Sequence, residues 1–119
     1  MKKIIIAEDD AFISDVAKQR LSDAGFEVTA VADGDFVLQT VQSSQPDVLL
    51  LDIDLPHVDG LTILKDIRAD ETLKELPVIV FTNNDDANLK SDVEALGATH
   101  FMKAVTGSEE LVSAVQSVL

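Results

Sequence analysis

Residues 46–56 read Pro46-Asp47-Val48-Leu49-Leu50-Leu51-Asp52-Ile53-Asp54-Leu55-Pro56. Four apolar residues in unbroken succession, rich in branched side chains, predict a short strand buried on both faces of a parallel sheet. The same pattern recurs in Ile4-Ile5-Ile6-Ala7 and in Val78-Ile79-Val80-Phe81. Phe26-Glu27-Val28-Thr29-Ala30-Val31 alternates apolar with polar, as an edge strand with one wet face does. His100-Phe101-Met102 supplies a short fifth strand.

Working outward, the segments between these runs carry helical periodicity. Ile13, Val16, Ala17, Leu21 and Ala24 form one stripe, closed by Gly25 at a C-cap position. Leu61, Leu64 and Ile67 form another, and Leu89, Val93 and Leu96 a third, closed by Gly97. Residues 34–44 are read as one helix, and Asp85-Asp86 as the cap of the helix that follows them. The last helix opens at Thr106-Gly107-Ser108-Glu109, a capping-box pattern, and carries Leu111, Val112, Val115 and Val118. Strand and helix alternating five times predict βαβ units: an α/β chain with a doubly wound five-stranded parallel sheet and helices on both faces.

A chain of 119 residues, 46% of them apolar, has enough material for one core, and no repeat, linker or low-complexity tract divides it. A single domain over residues 1–119 is therefore expected. With 22 acidic against 9 basic residues the net charge is -13, which repels phosphate backbones and anionic lipid surfaces. Direct nucleic-acid or membrane binding is not expected. The absence of cysteine excludes disulfides, thiolate metal sites and cysteine nucleophiles. The apolar start stops at Glu8-Asp9-Asp10, too short for a signal peptide, and no stretch approaches the ~20 apolar residues of a membrane span. The reading is a soluble, cytoplasmic protein.

In open α/β sheets ligands bind beyond the carboxyl ends of the strands. Glu8, Asp9 and Asp10 follow the first run, Asp52 and Asp54 the third, Thr82 the fourth and Lys103 the fifth. Carboxylates crowded at one rim call for a cation, and oxygen ligands with no cysteine and only two histidines favour Mg²⁺ over a softer metal. A carboxylate beside Mg²⁺ can attack a phosphoryl group, with a lysine and a threonine hydroxyl stabilising its oxygens. Each residue has a plainer reading too: Asp10 as a helix cap, Asp52 as a turn former, Thr82 as a strand end, Lys103 as a solvated charge. Their placement at successive strand ends favours the joint reading.

These segments resemble the receiver domain of two-component response regulators, over essentially the whole chain. The resemblance rests on Glu8-Asp9-Asp10 after the first strand, residues 46–56, Asp59-Gly60, Pro77 to Thr82, and Gly97-Ala98 leading to Lys103. It implies the flavodoxin-like strand order 2-1-3-4-5. It also implies that Asp52 accepts a phosphoryl group from the phosphohistidine of a sensor histidine kinase or phosphotransfer protein. Glu8 and Asp9 would organise magnesium, Asp9 directly, with the backbone carbonyl of Asp54 as a further ligand. Thr82 would follow the phosphoryl group, Lys103 would pair with its oxygens, and His100 would rotate as the switch. The domain would catalyse only its own phosphorylation and dephosphorylation.

Three positions depart from the family's pattern. Ala104 stands where proline usually follows the lysine through a cis bond, so a trans peptide is expected, the cis form costing about 2.5–4 kcal/mol. His100 occupies a position commonly Tyr or Phe, and Asn83 one usually very small; Asn83 and the Asp54 side chain would narrow or steer access to the acyl phosphate. His57 is read as exposed, with no metal-binding or phosphorylated role. The final helix lacks Lys and Arg, pointing to a monomer or a weak phospho-dependent dimer. The alternatives are a phosphorylation-independent pseudo-receiver module, a haloacid-dehalogenase-like phosphatase using Asp52 and Asp54, and a Toprim-like metal site pairing Glu8 with that motif. No effector domain is expected in the residues given.

Overall fold

The computed structural model describes all 119 residues. Its strands are β1 (Lys3–Ala7), β2 (Glu27–Val31), β3 (Val48–Asp52), β4 (Val78–Thr82) and β5 (Thr99–Met102). Its helices are α1 (Ala11–Asp23), α2 (Val37–Ser44), α3 (Gly60–Ala69), α4 (Ala87–Ala95) and α5 (Glu110–Val118). All strand pairs are parallel, in the order β2-β1-β3-β4-β5, as expected.

The unbroken apolar runs divide between two cores by the period of two that a strand imposes. Ile5, Ala7, Leu49, Leu51, Val78 and Val80 face a core closed by Val37 and Val41 of α2, Ile63, Leu64 and Ile67 of α3, and Val93 of α4. Ile4, Ile6, Val48, Leu50, Ile79 and Phe81 face a second core closed by Ala17 and Leu21 of α1 and by Leu111 and Val115 of α5. Each fully buried Leu or Ile contributes roughly 1.5–3 kcal/mol relative to exposure. β2, at the edge, leaves Glu27, Thr29 and Ala30 exposed and turns Val28 and Val31 partly inward.

Gly25 and Gly97 follow the C-caps of α1 and α4 with φ of +96° and +71°, the left-handed conformation expected of them. Asp10 and Asp86 cap α1 and α4, each accepting two backbone N–H groups. Two helix readings are corrected. Residues 34–44 are not one helix: Asp33 accepts the Asp35 N–H and holds Gly34–Phe36 as a 3₁₀ turn, and α2 begins at Val37. The capping box at Thr106 does not form, because its hydroxyl donates to the Lys103 carbonyl at 2.6 Å, and α5 begins only at Glu110. No helix is long and apolar enough to cross a membrane.

Candidate functional site

The parallel register carries the strand ends to one rim. Ala7 is paired with Leu51, Asp52 with Phe81, and Thr82 with Met102, so Glu8, Asp52, Thr82 and Lys103 leave neighbouring strands side by side. Gly60 allows the loop after β3 to close beneath them. A Cβ there would stand 2.3 Å from the Asp52 carbonyl oxygen and 2.6 Å from the Ile53 Cα, closer than any side chain permits.

Lys103 Nζ lies 3.0 Å from Asp52 Oδ1 and 3.0 Å from Glu8 Oε2. Both carboxylates are buried, at 1% and 2% exposure. One ammonium between two buried carboxylates leaves a net negative charge. Burial pushes Glu8 up to about 7, with the Asp52 charge adding to it and the Lys103 and Asp10 hydrogen bonds opposing it. Burial pulls the Lys103 ammonium down, but its bonds to Glu8 and Asp52 outweigh that and hold it above its ordinary value.

Glu8, Asp9 and Asp52 each bring a carboxylate oxygen within 4.8 Å of the others. Glu8 Oε2 and Asp52 Oδ2 are buried without a hydrogen bond, the Lys103 ammonium donating instead to Glu8 Oε1 at 3.3 Å. Hard oxygen donors with unused lone pairs, crowded beyond what one lysine neutralises, fit a divalent cation such as Mg²⁺. Asp54 stands apart from this cluster: its side chain is exposed, while its N–H donates to Asp52 Oδ1 at 3.1 Å.

Thr82 is buried, and its hydroxyl accepts the Asn84 N–H at 3.0 Å. His100 reaches the same loop from β5: its Nε2 donates to the Asn84 carbonyl at 2.8 Å, which fixes the proton on that nitrogen because a carbonyl only accepts. The Lys103–Ala104 peptide is trans, as expected. Asp10 is a helix cap, accepting from Phe12 and Ile13, while its own N–H donates to Glu8 Oε1 at 3.1 Å.

The sequence reading missed two contacts. Asn83 Oδ1 accepts the Ala104 N–H at 2.9 Å, joining two of the three unusual positions. His57 is exposed as expected, but it takes the left-handed φ of +71° and pairs through Nδ1 with Asp33 and Asp35. The bond to Asp33 raises the imidazole pKa, and the Asp35 N–H and His57 together lower that of Asp33. Nothing in the local sequence of either residue announces a partner more than 20 positions away.

Comparison with known proteins gives the family and the fold. The family model described as the response regulator receiver domain matches residues 4–116. The DNA-binding dual master transcriptional regulator RpaA of Synechocystis sp. is 32% identical over 119 residues, covering 100% of this chain and 49% of that protein. The chain spans about half the length of several curated relatives it matches. Among solved structures, the chemotaxis protein CheY4 of Vibrio cholerae superposes with a TM-score of 0.91 at 30% identity, covering 100% of this chain and 99% of that one. The activated N-terminal receiver domain of RstA from Klebsiella pneumoniae gives 0.88 at 26% identity, covering 98% and 97%.

Proposed function

The chain belongs to the response regulator receiver family, and from that premise we propose a phosphorylation-driven switch in which Asp52 is the phosphoacceptor. The observation that carries this reading is the Lys103 ammonium held 3.0 Å from the buried Asp52 carboxylate, with Glu8 on its other side. In the proposed reaction an Asp52 oxygen attacks the phosphorus of a phosphohistidine on a sensor histidine kinase or histidine phosphotransfer protein. The new O–P bond forms as the N–P bond breaks, and the leaving imidazole takes up a proton. Hydrolysis reverses the modification: water attacks phosphorus, the Asp52 O–P bond breaks, and inorganic phosphate leaves.

Lys103 pairs with the phosphoryl oxygens and offsets their charge in a site where water competes weakly. Glu8, Asp9, Asp52 and the Asp54 carbonyl would hold Mg²⁺, which when bound supplies further neutralisation of the transferring group. Thr82 leaves the Asn84 N–H to donate to a phosphoryl oxygen. His100 then gives up the Asn84 carbonyl and rotates inward, so the surface of α4, β5 and α5 changes shape. The activity is confined to the domain's own Asp52, in the cytoplasm, on a monomer or weak phospho-dependent dimer that acts on a downstream protein.

The test is intact-protein mass spectrometry after incubation with a small acyl phosphate and Mg²⁺. Wild type is expected to gain one acid-stable, base-labile phosphoryl group, absent from Asp52→Asn and from a chelated sample. An unmodified wild type with Mg²⁺ demonstrably bound would replace this reading with that of a pseudo-receiver recognised without phosphate.

A further inference from the structure

Asn83 directly follows Thr82, and Ala104 directly follows Lys103. The 2.9 Å bond from the Ala104 N–H to Asn83 Oδ1 therefore joins the loops after β4 and β5 one residue beyond two site side chains. Each partner needs the other. A residue at 104 offers this N–H only if it is not proline, and a side chain at 83 receives it only if it carries an acceptor oxygen. We propose that the Asn83–Ala104 bond is a latch that aims Lys103 at Asp52, making Asn83 a positioning residue for phosphoryl transfer. The inference rests on the reading of Asp52 as phosphoacceptor.

The surrounding bonds show why this one decides the aim. The Lys103 carbonyl is fixed from the far side, accepting the Thr106 N–H at 3.1 Å and the Thr106 hydroxyl at 2.6 Å. The peptide between Lys103 and Ala104 is thereby held at its oxygen by Thr106 and at its nitrogen by Asn83. Without the nitrogen's partner this peptide keeps only the anchor at its oxygen beyond the end of β5, which frees it to tilt and to shift the stem of Lys103. Asn83 is itself well placed to hold it, because its neighbour Asn84 is tied to the Thr82 hydroxyl by its N–H and to His100 by its carbonyl. Asn83 and Ala104 are both exposed, so water can replace the lost bond. The loss is then one of orientation more than of stability.

The test measures the rate constant for phosphorylation of the full chain by acetyl phosphate with Mg²⁺, at an ionic strength that screens an added surface charge. Asn83→Leu removes the acceptor, Asn83→Asp keeps it, and Ala104→Pro removes the donor; Lys103→Ala is the comparator. Loss of one net hydrogen bond from the aiming of Lys103 corresponds to a drop of about fivefold in Asn83→Leu, with Asn83→Asp restoring the rate to within about twofold. In the Ala104→Pro background, Asn83→Leu is expected to have no further effect. Hydrogen exchange of the Ala104 amide is expected to accelerate in Asn83→Leu while the β4 amides stay protected. A wild-type rate in Asn83→Leu, or fully additive effects with Ala104→Pro, overturns the latch while leaving the receiver reading intact. A wild type that is never phosphorylated overturns the receiver reading instead.

Discussion

Glu8 is a carboxyl that folding makes harder to ionise, so the metal-free protein is expected to lose stability as the pH rises. Below its ordinary value of 4.5 the group is protonated in the folded and unfolded states alike, and its contribution is constant. Between 4.5 and its folded value of about 7 the unfolded chain has released the proton and the folded protein has not. Each pH unit across that interval then costs about 1.4 kcal/mol, and above it the loss levels off near 3 kcal/mol. That is a large part of the roughly 5–15 kcal/mol by which domains are stable.

The assay is urea denaturation in chelator across this pH range for wild type, Glu8→Gln and His57→Ala. Gln keeps the volume of Glu8 without its charge, so the difference between the two curves isolates this titration. His57 needs its own control. Its raised pKa means that its pairing with Asp33 stabilises the fold at low pH and is lost as the pH rises through the folded value, within an overlapping window. Glu8→Gln is expected to follow a flatter curve and to exceed wild type by about 3 kcal/mol once the pH passes 7. Mg²⁺ at a hundred times its Kd should return about 2.7 kcal/mol to wild type and much less to the variant. Parallel curves for wild type and Glu8→Gln in chelator would refute the argument from burial.

Four further outcomes follow from the geometry. Gly60→Ala drives a Cβ against the Asp52 carbonyl and the Ile53 Cα; a stability loss of about 1–3 kcal/mol, read by denaturation, should accompany slower phosphorylation of Asp52. Asp10→Ala removes two capping bonds from α1 and should cost about 1 kcal/mol while leaving Mg²⁺ affinity by calorimetry unchanged, since a ligand would lose affinity as well. Arg68 donates to the carbonyls of Leu96, Leu76, Lys74 and Gly97, tying α3 to the end of α4 and to the turn before β4; Arg68→Met should lower the urea midpoint by the equivalent of about 3 kcal/mol. Thr82→Ala should still be phosphorylated at Asp52, yet lose the phosphorylation-dependent NMR shifts of α4, β5 and α5; retention of those shifts would remove Thr82 from the switch.

What could be read in advance and what could not divides along a physical line. Val48 to Leu51 was legible as a strand because burial on both faces leaves no room for alternation, and the two cores split those residues as the pleat requires. The rim was legible for a related reason. Glu8 and Lys103 are 95 positions apart, yet parallel pairing brings the ends of β1, β3, β4 and β5 together, so the polar residue at the very end of each of these strands reaches one rim, while Asp54, two positions further on, does not. Hydrogen bonds between loops obey no such period. Thr106 had the spacing of a helix cap, but its hydroxyl went to the Lys103 carbonyl, a competitor invisible to local pattern. Local sequence presents Asn83 only as a steric obstacle, because its partner lies 21 residues away on another loop, and His57 only as a solitary exposed ring, because Asp33 lies 24 residues away. The placement of Glu8, Asp52 and Lys103 is thus tied to sheet topology and that of Asn83 and Ala104 to loop geometry. The latch between the latter two is accordingly a property of this chain's own loops rather than of the fold, and Asn83→Leu should alter the rate without altering the strand register.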